Sequence, residues 1–246
     1  LVVLAVRYLP SYLFLLFLNV VIALSLVELF RLLAAQNVKS YGLTYLLALL
    51  LPWIWVYYPA WLIRFLVLTI VVCMGKSVLQ PCDNKSGFPS ASGNLLAIAY
   101  LSVPLSIAGN LHKEGRWEEL LLILSVTWAG DMVAYWVGQK WGKHKVTPRI
   151  SPHKSLEGYV AGLLGSILAS VLFGYYFFPA SSVPYLVLAG LVLAAAGMVG
   201  DLFESMIKRA ADLKDSSNLL PGHGGILDRL DSLFFALPAY SYLLIW

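Results

Sequence analysis

Residues 158–200 read GYVAGLLGSILASVLFGYYFFPASSVPYLVLAGLVLAAAGMVG, a stretch without one charged side chain. A hydrocarbon core about 30 Å thick takes roughly 20 apolar residues per helical span. The stretch is long enough for two spans, and Phe178-Pro179-Ala180-Ser181-Ser182 supplies a neutral turn between them. Its two flanks, 139–157 and 201–231, then lie on one side of a membrane. They hold nine of the seventeen Lys and Arg residues, which makes that side cytoplasmic by the excess of positive charge on inner loops.

The rest of the chain has the same character. Of its 246 residues 60% are hydrophobic and 12% charged, with mean hydropathy +0.79. Soluble domains carry about 25% charged residues. The composition excludes a water-soluble globule, a disordered chain and a nucleic-acid binder, despite a net charge of +4. The expected fold is all-α: a polytopic transmembrane helical bundle of about eight or nine spans forming one integral-membrane domain over 1–246. Apolar runs place spans at roughly 41–58, 60–75, 94–109, 119–138, 159–177, 184–204 and 227–246. Residues 1–34, broken by Arg7 and Pro10, are one long tilted helix or two short ones. The polar stretch 77–93, with Pro81, Ser86, Gly87 and Pro89, reads as a loop.

Carried backwards, the topology puts 76–93 and 35–40 inside and Tyr57-Tyr58-Pro59 outside. The exception is 110–118, which leaves Lys113 and Arg116 on the outer side. The two cysteines, Cys73 and Cys82, have no metal-ligand spacing. The apolar segments simply continue from Leu1, so no cleavable signal peptide is expected.

Polar chemistry collects late in the chain. Asp201, Ser205 and Lys208 share a helix face at i, i+4 and i+7, and Asp228 and Asp231 share another at i, i+3. Two helix ends thus present carboxylates at one membrane level, joined by a loop rich in Gly and cations. Carboxylates at membrane depth are costly unless paired or metal-bound. Hard oxygen ligands beside Lys, Arg and glycines 222, 224 and 225 suit Mg²⁺ on a polyphosphate. Taken singly, each has a plainer reading: a helix-dipole contact for Asp228 and Asp231, a loop hydrogen bond for His223, a headgroup anchor for Lys208-Arg209. Lys140, Lys143 and Lys145 read as a positive-inside cluster.

The combination resembles a known family. Ser205-Met206-Ile207-Lys208-Arg209, then Lys214-Asp215, then Leu220-Pro221-Gly222-His223-Gly224-Gly225-Ile226-Leu227-Asp228-Arg229-Leu230-Asp231 is similar to the signature of the phosphatidate cytidylyltransferases, the CDP-diacylglycerol synthases. Gly200-Asp201-Leu202-Phe203-Glu204, Asp131 through Gly142-Lys143, and Ser151-Pro152-His153-Lys154-Ser155-Leu156-Glu157-Gly158 resemble the family too. The resemblance covers about the C-terminal half, marking 119–246 as the catalytic half and 1–110 as generic apolar helices. Departures are Asp212-Leu213, where the family often has Gly-Val, and Ser217, where Gly is common.

The resemblance implies CTP + phosphatidate → CDP-diacylglycerol + pyrophosphate, with Mg²⁺ and a second cation of unread identity. It implies a homodimer in the cell inner membrane with its site facing the cytoplasm. Expected cation ligands are Asp201 and Asp228, with Asp231 as a further or supporting carboxylate, and Asp131 as a ligand or a partner across helices. Lys208, Arg209, Lys214 and Arg229 are expected to bind phosphates, with Ser205, Asp215 and His223 in the catalytic set. Ser151, Lys154, Ser155, Glu157, Gly222, Gly224 and Gly225 are expected to complete the nucleotide or headgroup site. Two alternatives stand beside this one. A CDP-archaeol synthase or polyprenol kinase would use related chemistry, the kinase releasing CDP instead of pyrophosphate. An ion-coupled transporter would also hold acids at membrane depth, but its polar residues would sit near the midplane between repeats.

Overall fold

The computed structural model describes residues 2–79, 84–219 and 224–243. Helix dominates, as expected, and among the described residues six helices are long and apolar enough to cross a membrane. The chain forms two compact units, each assembled from separated stretches: Leu1–Gly115 with Ile207–Arg229, and Arg116–Met206 with Leu230–Trp246.

In the first unit α1 (Val2–Tyr8) stops before Pro10, and α2 (Ser11–Ala34) starts after it. The N-terminal run is therefore a short helix followed by a long one, because Pro10 donates no hydrogen bond and disfavours helix at Leu9. Next come α3 (Gly42–Tyr57), a 3₁₀ turn at Pro59–Trp61, α4 (Leu62–Leu79), α5 (Asn84–Ala97) and α6 (Val103–Lys113). A π-helical turn over Ile98–Ser102 joins α5 to α6, just before Pro104, which has no N–H for the carbonyl of Tyr100.

The loop expected over 77–93 is instead mostly helix, since α4 runs to Leu79 and α5 begins at Asn84. Its polar residues point inward rather than to water. Ser86, Ser90 and Asn94, four apart, are all buried. Asn94 Nδ2 donates to the Lys39 carbonyl at 2.8 Å, and its Oδ1 accepts from Tyr41 N at 3.0 Å and Thr44 Oγ1 at 2.7 Å. Ser90 Oγ accepts from Lys39 N at 2.9 Å. The stripe thus satisfies backbone groups freed where α2 ends, and burial outweighs the loop-like composition.

The cations Lys113 and Arg116 bond close by in the chain fold. Lys113 Nζ donates to the Val56 carbonyl at 2.6 Å, at the C-terminal end of α3, where a cation complements the helix dipole. In the second unit Arg116 Nη2 pairs with Glu119 at 2.8 Å.

That unit contains α7 (Trp117–Trp141), a hairpin of β1 (Lys145–Thr147) and β2 (Ser151–Ser155), α8 (Leu156–Phe177), most of α9 (Val183–Ala210) and most of α10 (Leu227–Leu243). The antiparallel hairpin is a small exception to the all-α expectation. Gly130, Ala134 and Gly138 on α7 face Gly158, Gly162 and Ser166 on α8. A Cβ added at Gly162 would lie 2.9 Å from Ala134 Cβ and 3.0 Å from the Gly130 carbonyl. Small residues at four-residue spacing let the backbones approach closely, the usual basis of helix pairing in lipid. Ser166 Oγ adds a 2.9 Å bond to the Val126 carbonyl. The opposite stripe of α8, Val160, Leu164, Leu168 and Leu172, is exposed, as a lipid-facing surface requires.

Candidate active site

In the first unit the sequence signature folds around two carboxylates. Helix α9 ends in a double C-terminal cap: Leu213 N–H bonds the Lys208 carbonyl at 2.9 Å and Asp212 N–H the Arg209 carbonyl at 3.1 Å. Asp212 takes φ 54°, the left-handed position that favours glycine at such a cap. The chain turns there toward Ser216 and Ser217.

Asp228, in the first turn of α10, is held by four donors. Lys208 Nζ meets Oδ1 at 2.6 Å, while Oδ2 accepts from Ser216 N at 3.0 Å, Ser216 Oγ at 2.8 Å and Gly225 N at 2.8 Å. The Lys208 and Asp228 side chains are only 13% and 11% exposed, so their attraction is little screened. Glycine is required at both described positions of the loop. Gly224 has φ +78°, and a Cβ there would come 2.8 Å from Asp228 Oδ2. A Cβ at Gly225 would collide with Ser216 Oγ and lie 2.6 Å from both carboxylate oxygens of Glu28.

Glu28 is the residue that sequence reading missed. It lies on α2, is buried, and accepts from Ser216 Oγ (3.2 Å), Ser217 Oγ (2.5 Å), Ile226 N (3.1 Å) and Leu227 N (2.8 Å). The last two are amides that the start of α10 leaves without intrahelical partners. A lone acid in an apolar helix was the available signal, but nothing local pointed to its partners.

In the second unit Lys154, at the end of β2, forms an ion pair with Asp201 of α9. Asp131 of α7 feels the charges of both Asp201 and Lys154 and accepts from Ser232 Oγ at 3.4 Å. Asp131 lies within α7, one of the helices long and apolar enough to span a membrane. Asp231 Oδ1 accepts from Ser232 N at 2.7 Å. A Cβ at Gly200 would strike the Asp231 carbonyl, so glycine there sets the close approach of α9 and α10.

The other expected residues fall into local roles or open positions. Ser155 caps α8, accepting from Gly158 N at 3.2 Å. Glu157 binds the start of the hairpin through Lys143 N at 3.2 Å and His144 Nδ1 at 2.6 Å. Ser151 begins β2, and Ser205 is half-buried on α9. Arg209 Nη1 donates to the Leu213 carbonyl at 3.2 Å, while Lys214, Asp215 and Arg229 are exposed. Gly222 and His223 lie outside the described residues.

For a metal, the donor sets differ. Among the described residues no group of three or more Asp, Glu, His or Cys converges. Asp131 and Asp201 are two hard carboxylates that both interact with Lys154, which fits a cation that takes its remaining ligands from phosphate and water. The oxygens of Asp228 are already engaged by donors.

The described residues thus define a helical membrane protein with two carboxylate–lysine clusters, one built on a Gly-Gly turn. The whole chain, residues 1–246, matches the model of the cytidylyltransferase family. The phosphatidate cytidylyltransferase of Staphylococcus epidermidis is 36% identical over 183 residues, covering 74% of this chain and 69% of the relative. That of Staphylococcus aureus is 35% identical over 194 residues, or 79% and 72% of the two chains. The Staphylococcus haemolyticus protein is 34% identical over 183 residues, 74% and 69% of the two. The chain belongs to the cytidylyltransferase family, and it is an enzyme, a nucleotidyltransferase.

Proposed function

We propose that the chain catalyses CTP + phosphatidate → CDP-diacylglycerol + pyrophosphate, at the cytoplasmic face of the cell inner membrane. The observation that carries this reading is the Lys208–Asp228 pair, built into the same signature that the family resemblance rests on. The lipid phosphate attacks the α-phosphorus of CTP and pyrophosphate departs. A phosphate monoester is already largely dianionic near neutral pH, so no strong general base is needed. The obstacle is repulsion between two anions, and positioned cations overcome it.

Lys208, oriented by Asp228, is a fixed ammonium for a phosphate oxygen, and Lys154 is a second one oriented by Asp201. Arg209, Lys214 and Arg229 supply further positive charge at the signature. The Gly224-Gly225 backbone packs against Asp228, Ser216 and Glu28 and so fixes the carboxylate that orients Lys208. Mg²⁺ would be held by Asp201 and Asp131, with Asp231, next to the Ser232 that bonds Asp131, as a supporting carboxylate; the oxygens of Asp228 already bind four donors. When bound, the cation would neutralise phosphate charge and polarise the phosphorus–oxygen bonds. The acyl chains stay in lipid, and a homodimer through apolar helix faces is part of the same reading.

The test is pyrophosphate release by purified protein, dependent on both CTP and phosphatidate, with CDP-diacylglycerol identified as the lipid product. Release of CDP with a phosphorylated lipid would instead assign a CTP-dependent kinase.

A further inference from the structure

We infer that Glu28 is a positioning residue for cytidylyl transfer: from the first long helix, it sets the conformation of the signature loop and through it the Lys208–Asp228 pair. The inference rests on the reaction proposed above.

A carboxylate buried in an apolar helix is costly unless charge or hydrogen bonds compensate it. Glu28 is 4% exposed, and the signature supplies it with four bonds: two from serine hydroxyls and two from backbone amides. It therefore does two things at once. It caps α10 from outside that helix, placing negative charge where the exposed N–H groups and the helix dipole favour it. It also ties Ser216 and Ser217 to that helix start. Ser216 is shared, because its hydroxyl lies 3.2 Å from Glu28 and 2.8 Å from Asp228. Any change in how Glu28 holds Ser216 is passed to Asp228, and Asp228 holds Lys208 at 2.6 Å. Gly225 fits the same arrangement, since a side chain there would occupy the space between Ser216 and Glu28.

Gln is nearly isosteric with Glu but presents an NH₂ where the loop offers only donors. Glu28→Gln should therefore fold and insert, yet release pyrophosphate more slowly, on the order of 100-fold in kcat, as misplaced catalytic groups do. Glu28→Asp, one methylene shorter, should recover part of that loss. Ser217→Ala removes one clamp bond and should cost several-fold, and its effect should largely vanish in the Glu28→Gln background.

Amide hydrogen exchange gives a readout independent of turnover. In Glu28→Gln the amides of Ser216, Ile226 and Leu227 should exchange faster while those of α7 and α8 keep wild-type rates. Wild-type kcat in both Glu28→Gln and Ser217→Ala, or additive losses in the double variant, overturns the inference. So does acceleration of exchange spread evenly over the chain. If wild-type protein itself releases no pyrophosphate from CTP and phosphatidate, the proposed reaction fails, while the exchange pattern still tests the clamp.

Discussion

Four bonds from the signature converge on Asp228, and its charge is what they share. Asp228→Asn keeps the shape but removes the charge that holds Lys208, and it turns an NH₂ toward groups that donate. Pyrophosphate release should fall by at least about 100-fold, with the purified variant eluting as wild type does in detergent; turnover near wild type would take Asp228 out of the reaction. The acids and lysines of both clusters were legible in the sequence, because signature spacing and shared helix faces gather them. Glu28 was not, because its partners lie up to 199 residues away and no local periodicity encodes such a contact. Ser216 was passed over for the opposite reason: a serine in a polar loop carries no signal until its neighbours are known.

At the scale of the element, hydropathy located nearly every helix, and polarity misplaced one. Ser86, Ser90 and Asn94 look like loop residues in sequence, but at four-residue spacing they form a buried seam along α5. Composition alone cannot separate a polar stretch facing water from one facing freed backbone groups. The cap after α9 shows the same interplay. Asp212 sits at φ 54°, a conformation that costs a non-glycine residue roughly 1–2 kcal/mol in general and less for Asp. This gives a physical reason for the glycine common at that position in the family. Asp212→Gly should raise the thermal midpoint in detergent modestly, by a stabilisation of up to about 1 kcal/mol; an unchanged or lower midpoint would count against strain at that cap.

For the whole molecule the sequence-based topology is a claim about sides. With Cys73 and Cys82 replaced, a cysteine at exposed Asn218 should react with an impermeant thiol reagent only after the inner face is opened. One at exposed Ala180, in the neutral turn, should react from outside in intact cells. Reversed labelling would invert the assignment. Lys113 and Arg116, which this topology puts outside, bond the Val56 carbonyl and Glu119.

The clamp centred on Glu28 also has a consequence in time. A ribosome adding about 5–20 residues per second makes α2 roughly ten to forty seconds before it reaches Leu227. Until Ser216 is made the acid has none of the four donors it will finally bind, and the set is complete only with Leu227. Residues 216–227 complete a contact prepared at residue 28, so a chain released before them carries an unanswered charge in its first long helix, a mark that distinguishes unfinished copies from finished ones.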